Sequence, residues 1–186
     1  TRVDGLMTDI GVAEGEWWRL VSSAFLHAGI LHIVFNMYLL WMLGRQLEQL
    51  HGRSRFVGLY VGSLAAGSLG VMLMDPTALT VGASGAVFGL MAAMFVHQQR
   101  RGISPWRSGI GGLVLLNVFF TFGRPGISIG GHLGGLLGGA FLAWALDEMD
   151  KKQVSRQRST LVVAAFTVLC LVASVWAANR WYDPVF

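Results

Sequence analysis

The chain has 186 residues, of which 54% are hydrophobic and 13% are charged, and its mean hydropathy is +0.57. Soluble domains average about 25% charged residues, so this composition excludes an ordinary soluble domain and indicates a membrane protein. The pI is near 9.8. The basic residues, however, form short clusters between long apolar runs, which favours loops facing a cytoplasm over a nucleic-acid surface. The lone Cys170 excludes an intramolecular disulfide and a zinc-binding cysteine cluster.

The first 26 residues combine acidic side chains with Trp17, Trp18 and Arg19. Aromatic rings beside an arginine suit the headgroup layer of a membrane, so we expect residues 1–26 to form an interfacial loop. The sequence starts at Thr1 without an initiator methionine, and we expect it to be a portion of a longer chain.

Apolar segments separated by charged residues make up the rest of the chain. They cover approximately residues 27–44, 56–74, 84–97, 108–122, 130–146 and 160–178. The second segment ends at Asp75-Pro76, because proline donates no backbone hydrogen bond, and a charged loop is expected at 147–159. No long linker divides the chain. We therefore expect an all-α, polytopic membrane helix bundle with six spans, forming a single domain over residues 1–186.

The third segment is too short to cross a bilayer. From Ser84 to His97 it has about 14 residues, or roughly 21 Å of helix, against about 30 Å of hydrocarbon. If its charged end lies at one surface, Ser84 lies roughly 10 Å below the other. Non-helical backbone at that depth is tolerated only where protein buries it or where it lines a wet cavity. The length therefore predicts a sunken, water-accessible Ser84.

The positive charges predict the topology of the bundle. The loops at 45–55, 98–107 and 147–159 hold ten of the fourteen lysine and arginine residues, so they are expected to face the cytoplasm. Those ten are Arg45, Arg53, Arg55, Arg100, Arg101, Arg107, Lys151, Lys152, Arg156 and Arg158. The Ser84 end of the third segment then lies on the non-cytoplasmic side.

Three polar residues inside the spans share the depth of Ser84. His32 and Asn36 lie four residues apart on one helix face, and His132 lies near the outer end of the fifth segment. A hydroxyl, an imidazole and side-chain donors together suit acyl transfer with a nucleophile, a base and an oxyanion site.

Small residues recur every fourth position beside both Ser84 and His132. Such stripes let membrane helices approach closely, so we expect the third and fifth spans to bring the serine to the imidazole. The small residues are Gly85, Gly89 and Ala93 on one helix and Gly131, Gly135 and Gly139 on the other.

Four motifs, in order over residues 17–140, resemble those of the rhomboid family of intramembrane serine proteases. They are Trp18-Arg19, His32 with Asn36, the sequence Gly82-Ala83-Ser84-Gly85, and His132 with Gly135. The resemblance implies a Ser84–His132 dyad that cleaves peptide bonds in or next to transmembrane helices of membrane-protein substrates. It also implies an oxyanion hole formed by His32, Asn36 and the Ser84 backbone N–H.

The resemblance further implies supporting roles for a set of residues around the dyad. The supporting residues are Gly82, Gly85, Phe88, Gly131, Gly135, Trp18, Arg19 and Glu48. We expect no cofactor and no metal, because no cysteine or carboxylate lies at the depth of His27 and His32 to complete a metal site. A bacterial plasma membrane is the expected location, with the lipid bilayer as surroundings and the active site on the non-cytoplasmic side. The oligomeric state stays open.

The sequence departs from the family pattern at three places. Phe88 stands where some members have a tyrosine that packs on the base, and Gly131 stands where alanine is usual. The family core also has a span before the Trp18-Arg19 loop that this chain lacks. By the same resemblance, residues 27–147 are the catalytic core and residues 160–178 are an additional C-terminal span.

Other interpretations stay open at this point. The chain could be a catalytically silent rhomboid-like module that binds membrane helices, or a small transporter with a broken helix at its midplane. Ser84 could be only a helix N-cap, and His32 and Asn36 could be interhelical hydrogen-bond partners. We expect His51 and His97, at the cytoplasmic helix ends, to be solvated or to contact helix carbonyls.

Overall fold

A computed structural model describes residues 9–124 and 126–181, and the elements in these ranges are helical, which confirms the all-α prediction. The helices are α1 (Asp9–Ala13), α2 (Arg19–Ser22), α3 (Ile30–His51), α4 (Arg53–Met74), α5 (Ser84–Arg100), α6 (Ile110–Gly123), α7 (Ile129–Lys151) and α8 (Arg156–Trp181). A 3-10 turn at Ser23–Phe25 lies between α2 and α3.

The six predicted segments correspond to helices α3 to α8, but these helices differ in their ability to cross a membrane. By length and composition, three helices in the described ranges are long and apolar enough, namely α4, α7 and α8. A fourth span results if α2, the 3-10 turn and α3 count as one segment bent by 100°. Helix α5 has 17 residues and α6 has 14, so neither reaches the roughly 20 residues of a full span.

Helices α4, α5 and α7 form the centre of the bundle. Helix α5 is almost enclosed, since its side chains from Gly85 to Met94 are buried. The largest apolar cluster joins α3, α4, α5 and α7 through Leu43, Leu59, Leu90 and Leu142. Helix α8 packs on α4, while α6 contacts only α5 and α7 to any extent. The site elements are therefore held by a densely packed centre, and α6 lies at its side with few contacts.

The segment before α3, expected to be a loop, is partly helical in the residues that the structure describes. Val12 of α1 and Leu20 of α2 are buried against α4 and α8, which fixes the segment to the bundle. Trp17 and Trp18 are at least half exposed, as an interfacial position requires. Arg19 is buried and pairs with Glu16 at 2.8 Å. The expectation that its guanidinium contacts lipid headgroups is therefore wrong. Residues 1–8 of the predicted loop lie outside the described residues.

The charged loop predicted at 147–159 is also shorter than expected. Helix α7 continues to Lys151 and α8 begins at Arg156. The charges in these helix ends are paired between helices: Arg55 lies 2.6 Å from Asp150, and Arg100 pairs with Glu148. Paired charges can remain on helical backbone at the membrane surface, which the sequence pattern alone did not reveal.

Candidate active site

Ser84 is the first residue of α5 and lies at the edge of a deep cavity. The turn before it depends on Gly82, whose φ is +111° and whose N–H donates to the Ser23 carbonyl at 3.0 Å. A Cβ at Gly82 would lie 2.6 Å from Cε1 of His32, so the position requires glycine for both its dihedral angle and its space. This turn sets the serine at the helix N-terminus, where backbone N–H groups have no intrahelical partner.

The Ser84 hydroxyl lies within hydrogen-bond distance of the His132 ring. The distance from Ser84 Oγ to His132 Nε2 is 2.8 Å, although the residues are 48 positions apart. The His132 ring stacks on Phe88 with 4.0 Å between ring centroids and 18° between planes. A phenylalanine ring therefore provides the stacking surface, and no phenol hydroxyl is needed for it.

The other ring nitrogen of His132 contacts Thr121 of α6, a residue that the sequence reasoning missed. Thr121 Oγ1 lies 2.7 Å from His132 Nδ1 and 2.8 Å from the Asn117 carbonyl oxygen. A carbonyl can only accept, so the single hydroxyl proton of Thr121 goes to Asn117. Thr121 must then accept a proton from Nδ1, which leaves the Nε2 lone pair of neutral His132 facing Ser84. Nothing in the sequence singles out Thr121, apart from its separation of 11 residues from His132.

The N-terminal end of α7, the helix that carries His132, is capped by Asp75. The sequence analysis treated Asp75 only as part of the break after the second apolar segment. The Asp75 carboxylate accepts from the Gly130 backbone N–H at 2.8 Å and from the Ser128 hydroxyl at 3.2 Å. Ser128 in turn accepts from the Gly131 N–H at 3.0 Å. A carboxylate at a helix N-terminus satisfies free N–H groups and interacts favourably with the helix dipole. Asp75 therefore ties the end of α4 to the helix turn that holds His132.

The glycine stripes lie where α5 and α7 touch. A Cβ added at Gly135 would overlap the carbonyl oxygen of Gly85, and one added at Gly139 would overlap Gly89. A Cβ at Gly85 would lie 3.1 Å from the Gly131 carbonyl oxygen. Backbone packs directly on backbone along this seam, and this close packing makes the 2.8 Å contact between Ser84 and His132 possible.

His32 and Asn36 lie on the first turns of α3, on the other side of the serine. The Ala28 N–H donates to His32 Nδ1 at 3.3 Å, so Nε2 of a neutral His32 carries the proton and is a donor. Asn36 is buried, and one N–H of its side-chain amide donates to the His32 carbonyl at 3.0 Å. Among the described residues this is the one hydrogen bond of the amide nitrogen, so its second N–H is available to a ligand. The His27 ring meets the His32 ring edge to face at 5.1 Å.

The four polar groups expected to converge all line one cavity of about 1240 Å³. Ser84, His132, His32 and Asn36 contribute from α5, α7 and α3, and Thr121 contributes from α6. The cavity extends to Phe35 of α3 and Phe120 of α6, which are both about half exposed. The arrangement offers a hydroxyl, an adjacent base and two side-chain donors within one space.

Glu48 lies away from this cavity, at the other end of α3. Its side chain is exposed, and its backbone carbonyl accepts from the Gly52 N–H at 2.8 Å. Gly52 has a φ of +81° and joins α3 directly to α4. The turn is thus ordered by backbone contacts of Glu48 and the glycine conformation.

The expectation that His51 and His97 are solvated or contact helix carbonyls is wrong. Both rings are buried, and they lie beside Asp147 at the end of the bundle opposite Ser84. The sequence predicted the helices that carry these two histidines. It did not predict which faces of those helices pack against each other.

Comparison with known proteins decides the family. The Rhomboid domain family matches residues 14–148, which is most of the chain. The chain belongs to the rhomboid family. Together with its apolar helices, this membership makes it an integral membrane protein.

The chain is similar to rhomboid proteins that are named as proteases and to others that are named as inactive. The chain is similar to rhomboid protease GluP of Bacillus subtilis, with 36% identity over 138 residues, which are 73% of this chain and 27% of GluP. It is 40% identical to RHOMBOID-like protein 5 of Arabidopsis thaliana over 146 residues, 73% of this chain and 46% of that protein. It is 32% identical to inactive rhomboid protein 1 of Plecturocebus moloch over 174 residues, 90% of this chain and 20% of that protein. The chain thus spans less than half the length of each of these relatives, and this rhomboid's family includes both proteases and inactive members.

Proposed function

We propose that this rhomboid is an active intramembrane serine endopeptidase that hydrolyses a peptide bond in or next to a transmembrane helix of its substrate. The observation that carries the proposal is the 2.8 Å contact between Ser84 Oγ and His132 Nε2 at the wall of the cavity. The accepting state of Nε2, argued from Thr121, supports the same assignment. The proposed catalytic unit is a single membrane domain with no cofactor in the reaction.

In this mechanism Ser84 Oγ attacks the scissile carbonyl carbon while His132 Nε2 takes the hydroxyl proton. The tetrahedral intermediate collapses as His132 gives that proton to the leaving amine, and an acyl-enzyme remains. A water molecule then attacks the ester, His132 takes a proton from the water, and its return to Ser84 Oγ releases the new carboxyl terminus. The dyad thus uses one imidazole as base and acid in both halves of the reaction.

The developing oxyanion is assigned to three donors: the Ser84 backbone N–H, His32 Nε2 and the free amide N–H of Asn36. The Ser84 N–H lies at the N-terminus of α5, where the helix dipole favours negative charge. The His32 proton assignment follows from the Ala28 contact, and Asn36 is held by its bond to the His32 carbonyl. Removal of one such donor typically lowers the rate about a hundred- to a thousandfold.

The substrate is proposed to enter from the side, between α3 and α6, with its scissile bond unwound. A helix in lipid satisfies every backbone hydrogen bond internally, so cleavage requires local unfolding, and helix-weakening residues near the bond should favour it. The charge asymmetry supports an active site on the non-cytoplasmic side. The similarity to GluP of a bacterium supports a bacterial plasma membrane as the location.

The direct test is cleavage in liposomes of a membrane substrate whose transmembrane helix carries a glycine and small residues near its outer end. We expect wild type to release a fragment whose new terminus lies in or next to the helix. Ser84→Ala and His132→Ala should release none, because each lacks one half of the dyad. Equal cleavage by wild type and Ser84→Ala would overturn the proposal.

The alternative is a silent module that binds membrane helices, and the similarity to inactive rhomboid protein 1 is the observation that favours it. The same liposome experiment separates the two functions. A silent module would retain the substrate helix in a pull-down with both wild type and Ser84→Ala and would cleave it with neither.

A further inference from the structure

Two of the five histidines lie far from the candidate active site and meet a carboxylate. His51 ends α3, His97 lies near the end of α5, and Asp147 lies near the end of α7. The His51 and His97 rings meet edge to face at 5.0 Å, and His97 Nδ1 lies 3.4 Å from Asp147 Oδ1. One ligand atom from each residue lies within 4.8 Å of the other two. Three helices thus direct nitrogen and oxygen atoms into one small space.

These groups are buried, and ring nitrogens of both histidines have no hydrogen bond. His51 and His97 are each 2% exposed and Asp147 is 8% exposed. Within the described ranges, His51 Nε2 and both ring nitrogens of His97 have no hydrogen-bond partner, while Asp147 makes ion-pair contacts with His97 and Arg100. Buried polar atoms almost always have one, so unpartnered nitrogens on both imidazoles, beside a carboxylate, indicate a ligand between the three side chains.

The donor set favours one chemical class of ligand. Two imidazoles and one carboxylate suit zinc or a similar transition metal ion, whereas magnesium and calcium take mainly oxygen ligands. Arg100 Nε lies 3.5 Å from the other carboxylate oxygen of Asp147, and the same guanidinium also pairs with Glu148. An arginine in this place orients the ligating carboxylate, and Glu148 offsets its charge.

We propose that His51, His97 and Asp147 bind one Zn²⁺ ion. Tetrahedral bonds of about 2.1 Å place ligand atoms roughly 3.4 Å apart, so the side chains need only small torsional changes to close on the ion. A water molecule would complete the coordination. The sequence reasoning expected no metal, because it considered only His27 with His32 and expected His51 and His97 to be solvated or to contact helix carbonyls.

The proposed ion joins the three helices that carry the candidate active site at their other ends. Helix α3 holds His32 and Asn36, α5 holds Ser84, and α7 holds His132. Along α5, His97 lies about 20 Å from Ser84 at 1.5 Å per residue, which is too far to take part in the reaction. The ion therefore takes no part in the reaction at Ser84, and it fixes the relative positions of the three helices. This inference is independent of the proposed protease activity.

The test uses tag-free, metal-stripped protein in detergent and a titration with Co²⁺, which gives visible d–d absorption when four ligands surround it tetrahedrally. We expect saturation at one Co²⁺ per chain and loss of the absorption when Zn²⁺ displaces it. Zn²⁺ at about 100 times its dissociation constant should raise the unfolding midpoint by roughly 5 °C or more.

Two variants of similar shape remove single ligands while keeping the packing. His97→Gln and Asp147→Asn should each weaken Co²⁺ binding about tenfold or more, whereas the control His27→Ala should bind as wild type does. No tetrahedral Co²⁺ spectrum and no retained Zn²⁺ in folded wild type would overturn the proposal. Unchanged binding in both ligand variants would also overturn it.

Discussion

At the scale of single residues, one hydroxyl decides which nitrogen of His132 can act as a base. Thr121 donates to the Asn117 carbonyl and therefore accepts from His132 Nδ1. When His132 takes the serine proton, the same contact becomes a hydrogen bond from a charged imidazolium. Such bonds contribute about 1.5–3 kcal/mol, so Thr121 is a positioning residue with a measurable effect.

Thr121→Val should lower kcat by about ten- to a hundredfold with little change in KM, because the charged hydrogen bond is lost while substrate contacts stay. Steady-state cleavage of a membrane substrate measures both constants. Thr121→Ser keeps the hydroxyl and should restore most of the rate. Equal rates for Thr121→Val and Thr121→Ser would contradict the positioning role.

Asn36→Ala tests the oxyanion assignment at the same scale. We expect kcat to fall about a hundred- to a thousandfold, with a residual rate from the remaining donors. Labelling of Ser84 by a fluorophosphonate should slow in parallel, since that reagent also develops charge on an oxygen. A variant that cleaves at the wild-type rate would show that the amide of Asn36 serves only its bond to the His32 carbonyl.

At the scale of the elements, α5 and α7 pack so closely that glycine backbone of one helix contacts glycine backbone of the other. Gly85, Gly89, Gly135 and Gly139 bring backbone onto backbone, so an added side chain cannot be accommodated by rotating a neighbour. The helices must separate instead, and the contact between Ser84 and His132 lengthens with them.

Gly135→Leu should therefore abolish cleavage without altering any polar group of the site. Gly112→Leu on α6 is the matched control, because a Cβ at Gly112 has no atom within 4 Å. Cleavage rates and thermal unfolding of both variants in detergent give the comparison. Wild-type turnover by Gly135→Leu would rule out a tight seam as a requirement for activity.

At the scale of the whole molecule, one side of the cavity lies between α3 and α6, and few contacts join these two helices. Helices α3 and α6 scarcely touch each other, and Phe35 and Phe120 line the cavity between them while remaining about half exposed. A transmembrane helix in lipid could approach Ser84 by this route without crossing the membrane surface.

A cross-link between α3 and α6 should separate entry from chemistry. In a Cys170→Ser background, Phe35→Cys with Phe120→Cys joined by a short bifunctional reagent should stop cleavage of a transmembrane substrate. Reduction of a cleavable linker should restore it, and labelling by a small fluorophosphonate should continue throughout. Full turnover of the cross-linked protein would argue against lateral entry.

Much of this architecture could be predicted because lipid demands long apolar helices. The predicted second span began at Phe56 and ended at Met74, and α4 runs from Arg53 to Met74. The predicted starts and ends of α7 and α8 were less accurate, because Arg55, Asp150 and Arg100 pair across helices and keep charged turns helical. Charge patterns along one segment contain no information about partners on another.

The candidate site was predictable only in part for a similar reason. Ser84, His132, His32 and Asn36 stand out as polar residues in apolar segments. Thr121 does not, since a threonine in a membrane helix commonly bonds its own backbone. The burial of His51 and His97 depends on which helix faces converge, and that is a property of the packed bundle.

Labelling of Ser84 by a serine-directed fluorophosphonate tests the central claim most directly, because it requires the activated hydroxyl and no substrate. In detergent, folded wild type should gain the mass of one adduct, and peptide mapping should place it on Ser84. Ser84→Ala should gain none, and His132→Ala should react far more slowly. A folded wild type that stays unlabelled, or one that reacts equally well without His132, would contradict the account of an active Ser84–His132 dyad.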